Sequence, residues 1–367
     1  MPRQPDKIPA APVPARVGPR PAAHWRFHAG APGVRGLRMT EHSSPRSPAF
    51  ATPRWLRRRS PAEAPVTASS IALFRLGEQC NNKCPMCSNS GRPEAFFPPA
   101  SDLLRRADFL AGQGLRRVVL TGGEPTIHPA FWSVVTRLGE HSIAWDINTH
   151  GRSFAEPTFT ERAVSAGLLR AIVSLHSHLA DVSQVISGVS HRGHSEILGG
   201  IDELRGAGSG LLLNCVVTTL NAAHLPEFLD FCCERWGTGY GIKFTFPSTT
   251  GKGGAWSGLD LRYAAVQATV REVQQRADAR GASVVFESFP NCVLGDANHS
   301  NVGRSGFGET HYLDDITGDK LYPIRHIESE LSVYPQSCRG CRALPRCPGI
   351  AATYAKRYGG DELTPFL

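Results

Sequence analysis

The stretch Ile71-Ala-Leu-Phe-Arg-Leu-Gly-Glu-Gln-Cys80-Asn-Asn-Lys-Cys84-Pro-Met-Cys87 decides how this chain is read. Five of its first six residues are apolar, and the run stops at Gly77, which predicts a strand over 71–76. The loop that follows places Cys80, Cys84 and Cys87 within eight residues. Three thiolates in one short loop can hold three irons of a [4Fe–4S] cube and leave the fourth iron without a protein ligand. An open iron can bind a small molecule, which suits chemistry better than electron storage. A structural zinc site is the alternative, but zinc asks for a fourth ligand and a different spacing.

Working outward, further β-rich runs follow at Arg117–Thr121, Ala144–Asn148, Ala171–Leu175, Leu211–Thr218 and Tyr240–Phe246. Amphipathic segments separate them. Leu103, Leu104, Ala107, Leu110 and Ala111 share one helical face, with Ser101 as the expected cap. Ile197, Ile201 and Leu204 step by four and three. Tyr263, Val266, Val270, Val273 and Ala277 do the same, and Gly281 ends that helix. Six strand–helix units in a row imply an α/β fold with a parallel sheet: an open doubly wound sheet or a partial, TIM-like (βα)6 barrel. In either, chemistry collects at the C-terminal ends of the strands. The cysteine loop lies at the end of the first strand. Thr121-Gly122-Gly123-Glu124-Pro125-Thr126 lies at the end of the second. Its glycines permit close backbone approach to a ligand, and Glu124 offers an acceptor for an ammonium group.

The 367 residues suffice for a sizeable core. No run approaches the ~18 apolar residues of a membrane span, so none is expected. The net charge of +8 is concentrated in residues 1–70, where twelve Lys/Arg face three acids, among 13 of the 28 prolines. That segment reads as a disordered tail, with Met39 as an alternative start. The rest sums to about −1, which argues against a basic fold and a nucleic-acid partner. Ten cysteines, mostly in two tight groups and without a secretory signal, suit metal binding in a reducing cytoplasm better than disulfides.

The C-x3-C-x2-C loop and the G-G-E-P turn together resemble the signatures of the radical S-adenosylmethionine (SAM) superfamily. The resemblance covers residues 71 to about 250 and implies an enzyme that reductively cleaves SAM at a [4Fe–4S] cluster. A 5′-deoxyadenosyl radical then takes hydrogen from the substrate. By that resemblance Cys80, Cys84 and Cys87 ligate the cluster. Gly122, Gly123, Glu124 and Pro125 form the turn that holds the SAM amino group. Asn148-Thr149-His150-Gly151 resembles the family's T-N-G turn, with His in place of Asn. Ser174 matches a ribose or carboxylate contact, and Asn214 is a further candidate. Met86 stands where the family has an aromatic near adenine. The electron donor implied is a flavodoxin or ferredoxin.

A second group, Cys338-x2-Cys341-x5-Cys347, follows Cys292 by 46 positions. These four resemble the SPASM or shorter Twitch extension, which implies one auxiliary [4Fe–4S] cluster with four protein ligands. A zinc knuckle is the alternative. Full ligation would argue against a molybdopterin-type GTP cyclase, whose auxiliary cluster has three cysteines and binds substrate. The domains expected are a tail over 1–70, a barrel over 71–282 and an auxiliary-cluster region over 283–367. The substrate expected is a ribosomal peptide being matured, although no leader-binding domain is evident. The alternatives are a dehydrogenase or mutase acting on a sugar, antibiotic or cofactor precursor, and a non-catalytic metal protein with a nucleic-acid-binding tail. A B12-dependent methyltransferase is not expected, since no cobalamin-binding domain is read before the barrel. Cys215, Cys232 and Cys233 read as core thiols. His176, His178, His191 and His194 suggest a second metal only weakly. Lys252 lies in a Gly-rich stretch without the full phosphate-loop pattern.

Overall fold

The computed structural model describes residues 66–67, 69–87, 97–247, 256–302, 309–314, 318–324 and 331–367. Met39 and Lys252 lie outside the described residues, as does nearly all of the expected tail. Within them, strands and helices alternate: β1 (Ile71–Arg75), α1 (Ala100–Gly112), β2 (Arg117–Thr121), α2 (Phe131–Glu140), β3 (Ala144–Thr149), α3 (Pro157–Ser165) and β4 (Leu168–Ser174). Next come α4 (Ala180–Ser187), α5 (His191–Gly206), β5 (Gly210–Val216), α6 (Leu225–Trp236), β6 (Gly241–Thr245), α7 (Tyr263–Arg280) and β7 (Ser283–Glu287). The chain closes with α8 (Asn291–Leu294), β8 (Thr310–Leu313), β9 (Leu321–Pro323), β10 (Ser332–Val333), β11 (Ile350–Ala351) and α9 (Ala352–Tyr358).

The main sheet runs in the order β7-β6-β5-β4-β3-β2-β1-β8-β9. Neighbours from β7 to β8 are parallel, and only β9 is antiparallel. The α/β class with a parallel sheet is therefore as expected. The sheet is wider than six strands. β7 hydrogen-bonds along β6 and β8 adds to the free side of β1, so one sheet joins strands on both sides of position 282. The reason is visible in β7, whose Val284 and Phe286 are buried while Val285 and Glu287 are half-buried. That alternation suits a strand packed on one face.

The same alternation runs through the sheet. Phe74, Leu120, Ile147, Val173, Leu213, Phe244 and Phe286 are fully buried on one face. They form a single cluster with helix residues such as Leu103, Val134, Ile201, Leu229 and Val270. Each such side chain contributes about 1.5–3 kcal/mol of burial. On the other face, near the N-terminal ends, buried Asp146 accepts from Arg117 Nη2 (2.6 Å) and Arg170 Nη2 (3.0 Å). One local expectation is corrected. Ser101 does not cap α1, because it already lies inside the helix, which starts at Ala100 after Pro99, whose extended backbone (ψ 155°) sets the boundary without a side-chain bond. Gly281 does end α7 in the left-handed conformation (φ 64°).

Candidate functional site

Cys80, Cys84 and Cys87 leave the C-terminal end of β1 in one loop, Cys80 exposed and the other two half-buried. The amide of Asn82 donates to Cys80 Sγ (3.4 Å), and Cys84 Sγ donates to the Ser187 carbonyl (3.4 Å). Although Cys80 as a residue is exposed, desolvation of its sulfur pushes the thiol up to about 11, with Glu124 and Cys87 adding to the rise. Burial and then the neighbouring Cys87 and Cys80 push Cys84 to about 12. Cys80 and Cys84 thus lie within electrostatic reach of Cys87, and both resist ionising. Ligation requires thiolates, so this donor set fits a group whose positive charge offsets three of them. Among the described residues no three His, Cys, Asp or Glu side chains gather tightly enough to grip a single ion. A cube binds each thiolate through a different iron and so holds its ligands further apart. His176, His178, His191 and His194 likewise do not converge on one ion.

The turn after β2 packs directly on this loop. Gly123 N donates to the Gly77 carbonyl and Glu124 N to the Gln79 carbonyl, both at 2.8 Å. A Cβ on Gly122 (φ +133°) would stand 2.2 Å from Gly77 O, and one on Gly123 would stand 2.1 Å from Gln79 O. The glycines therefore serve a backbone approach within the chain, not only the approach to a ligand that the sequence suggested. Glu124 is buried and its carboxylate is already engaged. Oε1 accepts from Thr126 N (3.2 Å), Thr126 Oγ1 (2.7 Å) and Thr149 Oγ1 (2.8 Å). Oε2 accepts from His150 N (2.8 Å). Pro125 starts the short 3-10 turn that follows.

The end of β3 completes the clamp. His150 Nε2 meets Asn81 Oδ1 (2.6 Å), while its Nδ1 accepts from Arg152 N (3.2 Å), so Nε2 carries the proton. Burial holds this imidazole below its ordinary pKa, although Glu124 nearby opposes the shift. Arg152 Nη1 donates to Asn81 O (3.3 Å) and Asn82 Oδ1 (3.2 Å), while its Nε bonds Glu196 (2.8 Å). A third support comes from the end of α4. Gly188 (φ +61°) lies so close to Lys83 that a Cβ would stand 2.5 Å from its carbonyl oxygen. Sequence reasoning did not single out Asn81, Arg152, Ser187 or Gly188. For the first two the pattern carried no local signal, and for Gly188 the only hint was a glycine after an apolar helical face.

The remaining candidates are spread over the strand ends and the cysteine loop. Asn148 Nδ2 reaches Thr121 Oγ1 (3.4 Å). Thr149 is buried against Glu124. Ser174 and Asn214 are register partners on β4 and β5, and Asn214 Oδ1 accepts from Thr245 Oγ1 (2.9 Å). Met86 is buried in a separate apolar cluster with Ile186 and Leu259. Cys215 and Cys232 are core thiols, as expected.

The fold brings Cys292, Cys338, Cys341 and Cys347 together around one cavity, closed by Tyr334, Ile350 and Leu363. Burial raises Cys292, and Cys347 and Cys341 add to it, while a backbone bond from Thr364 opposes. Burial, Cys347, Cys292 and Cys341 push Cys338 up to about 11. Cys347 Sγ accepts from the amides of Asn291 and Gly349, both at 3.5 Å. Four cysteines lining one apolar cavity fit a group ligated by all four.

Residues 74–232, from β1 into α6, match the family model described as Radical SAM superfamily. The chain carries a radical SAM domain. The cysteine loop, the Gly122–Gly123 turn and the ends of β3 to β5 lie inside the match. Members of this family use a [4Fe–4S] cluster and SAM. The chain is 32% identical over 176 residues to a probable GTP 3′,8-cyclase of Thermococcus kodakarensis, 46% of this chain and 54% of that protein. It is 27% identical to the mycofactocin maturase MftC of Mycobacterium tuberculosis, over 52% of this chain and 48% of that one. It thus spans about half the length of the curated relatives it matches. Crystal structures of Streptococcus suis SuiB share the fold at 14% identity and a TM-score of 0.56. The form bound to S-adenosylmethionine covers 78% of this chain and 74% of its own. The form bound to precursor peptide SuiA covers 81% and 74%. No helix among the described residues is long and apolar enough to cross a membrane.

Proposed function

We propose that the chain is a radical SAM enzyme that abstracts hydrogen from a ribosomally made peptide during its maturation. The observation that carries this reading is the paired backbone contact between the Gly122–Glu124 turn and the Gly77–Gln79 segment, which fixes the cysteine loop beside the turn. Bound there, a reduced [4Fe–4S] cluster and SAM together supply a 5′-deoxyadenosyl radical, with one electron taken from a flavodoxin- or ferredoxin-type donor. Cys80, Cys84 and Cys87 hold the cluster. The backbone of Gly122, Gly123 and Glu124 would hold the SAM amino group, while the Glu124 carboxylate locks that backbone to β3. Asn148, Ser174 and Asn214 present hydrogen-bonding groups to the rest of SAM. Met86, packed on Ile186, shields the site from water.

Cys292, Cys338, Cys341 and Cys347 hold a second [4Fe–4S] cluster. With four protein ligands, such a cluster would have no iron open to substrate and would serve electron relay or support of the fold. The peptide class is supported by the likeness to MftC and to the SuiB fold. A nucleotide substrate is the second reading, favoured by the 32% identity to a GTP 3′,8-cyclase. The test incubates the reconstituted protein with SAM, dithionite and either GTP or a short precursor peptide encoded beside the gene. Peptide-dependent 5′-deoxyadenosine with a change in peptide mass is expected. GTP-dependent formation would replace the peptide reading with the nucleotide one.

A further inference from the structure

Toward the C-terminal ends of β4 to β7 the open face of the sheet carries polar side chains among apolar ones. Ser174, Asn214 and Lys243 stand in one register row across β4, β5 and β6. Thr245 and Glu287 stand in the next row across β6 and β7. Ile172, Leu212, Val216 and Val285 share this face. Lys243 Nζ and Glu287 Oε2 form an ion pair, and each side chain is 20% exposed. Strands lie about 4.8 Å apart, so Lys243 stands about 10 Å from Ser174 and one strand from Asn214. Glu287 leads within five residues to Cys292. The pair thus sits on strand ends between the proposed SAM contacts and the segment that carries the second cysteine group.

Holding a charge pair on a half-buried sheet face costs more than holding an apolar pair there, and the sheet's own hydrogen bonds need neither side chain. We propose that Lys243 and Glu287 act together as a charge filter for the substrate. They receive an uncharged hydrogen-bonding group, such as the secondary amide of a peptide, and reject a polyphosphate. This rests on the radical SAM reading above. After pairing, the ammonium keeps N–H donors and the carboxylate keeps acceptor sites. An amide offers one acceptor and one donor and satisfies both. A triphosphate offers acceptors alone, and Glu287 repels it.

The test titrates tripolyphosphate and GTP into the reconstituted full chain by calorimetry. Wild type is expected to bind neither at micromolar concentration. Glu287→Gln leaves Lys243 without its counter-charge, and tripolyphosphate affinity rises at least about tenfold. Adding Lys243→Met to Glu287→Gln abolishes the gain, which assigns the contact to Lys243. The exchange Lys243→Glu with Glu287→Lys keeps a neutral pair and behaves as wild type. Micromolar binding of either anion by wild type, or no gain in Glu287→Gln, overturns the proposal. Should Glu287→Gln fail to fold, Glu287→Ala serves the same comparison. Formation of 5′-deoxyadenosine by wild type is measured alongside. Its absence would remove the radical SAM reading, while the anion titration would still score the pair.

Discussion

Replacing Gly123 by Ala tests the physical basis of the cofactor site with one methyl group. Its Cβ would stand 2.1 Å from Gln79 O, 2.5 Å from Gln79 C and 2.6 Å from Glu78 O. These are backbone atoms, so relief requires the turn and the cysteine loop to separate. Overpacking of this kind costs about 1–3 kcal/mol. Separation also loosens the 2.8 Å bonds from Gly123 N to Gly77 O and from Glu124 N to Gln79 O, at about 1 kcal/mol each. The combined local cost is about 3–5 kcal/mol, comparable to the lower end of a whole domain's stability of about 5–15 kcal/mol. The sheet should survive and the loop should not hold its geometry. After anaerobic reconstitution, Gly123→Ala should bind about four fewer irons than wild type. Its urea midpoint should fall while its far-ultraviolet dichroism stays unchanged. Full iron content with an unchanged midpoint would refute the claim that this glycine serves the contact between turn and loop.

Glu124→Gln turns an NH2 group toward either the His150 amide or the Thr126 and Thr149 donors, at a cost of about 1–3 kcal/mol. Thermal denaturation should show lower stability, and SAM cleavage should slow. Burial holds His176 down at about 4 from 6.5. The neutral ring is favoured in the folded state, so its contribution is complete above pH 6.5 and is lost as pH falls toward 4, by about 3 kcal/mol. Urea midpoints from pH 7 to 4 should fall more in wild type than in His176→Gln. Cys292→Ala should lose the second cluster, about four irons, and leave the first intact. An unchanged iron count would make Cys292 a core thiol.

Much of the architecture was legible because it is local. Apolar alternation at Ala171–Ser174 and Leu211–Val216 marks strands with one packed face, and the three-four spacing from Tyr263 to Ala277 marks a helix ended by Gly281. The two cysteine groups were equally plain from spacing. What was not legible depends on distant partners. Val284 and Phe286 give a strand pattern, but only the sheet shows that this strand pairs with β6. Glu124 reads as a ligand acceptor until Thr149 and His150 are found on its oxygens. The His150–Asn81 bond joins residues 69 positions apart. Gly188 gains its meaning only from the Lys83 carbonyl. Cys292 meets Cys347 because α8 and the C-terminal loop close on one cavity.

The central claim is that the two cysteine groups hold separate clusters and that the first works with SAM. The direct measurement reconstitutes wild type and a Cys80→Ala/Cys84→Ala/Cys87→Ala variant with iron and sulfide under anaerobic conditions. Each is reduced with dithionite, given SAM and assayed for 5′-deoxyadenosine, with iron counted in parallel. The account predicts 5′-deoxyadenosine from wild type alone, and about four irons remaining in the variant. Wild type that binds only one or two zinc ions and leaves SAM intact would contradict it.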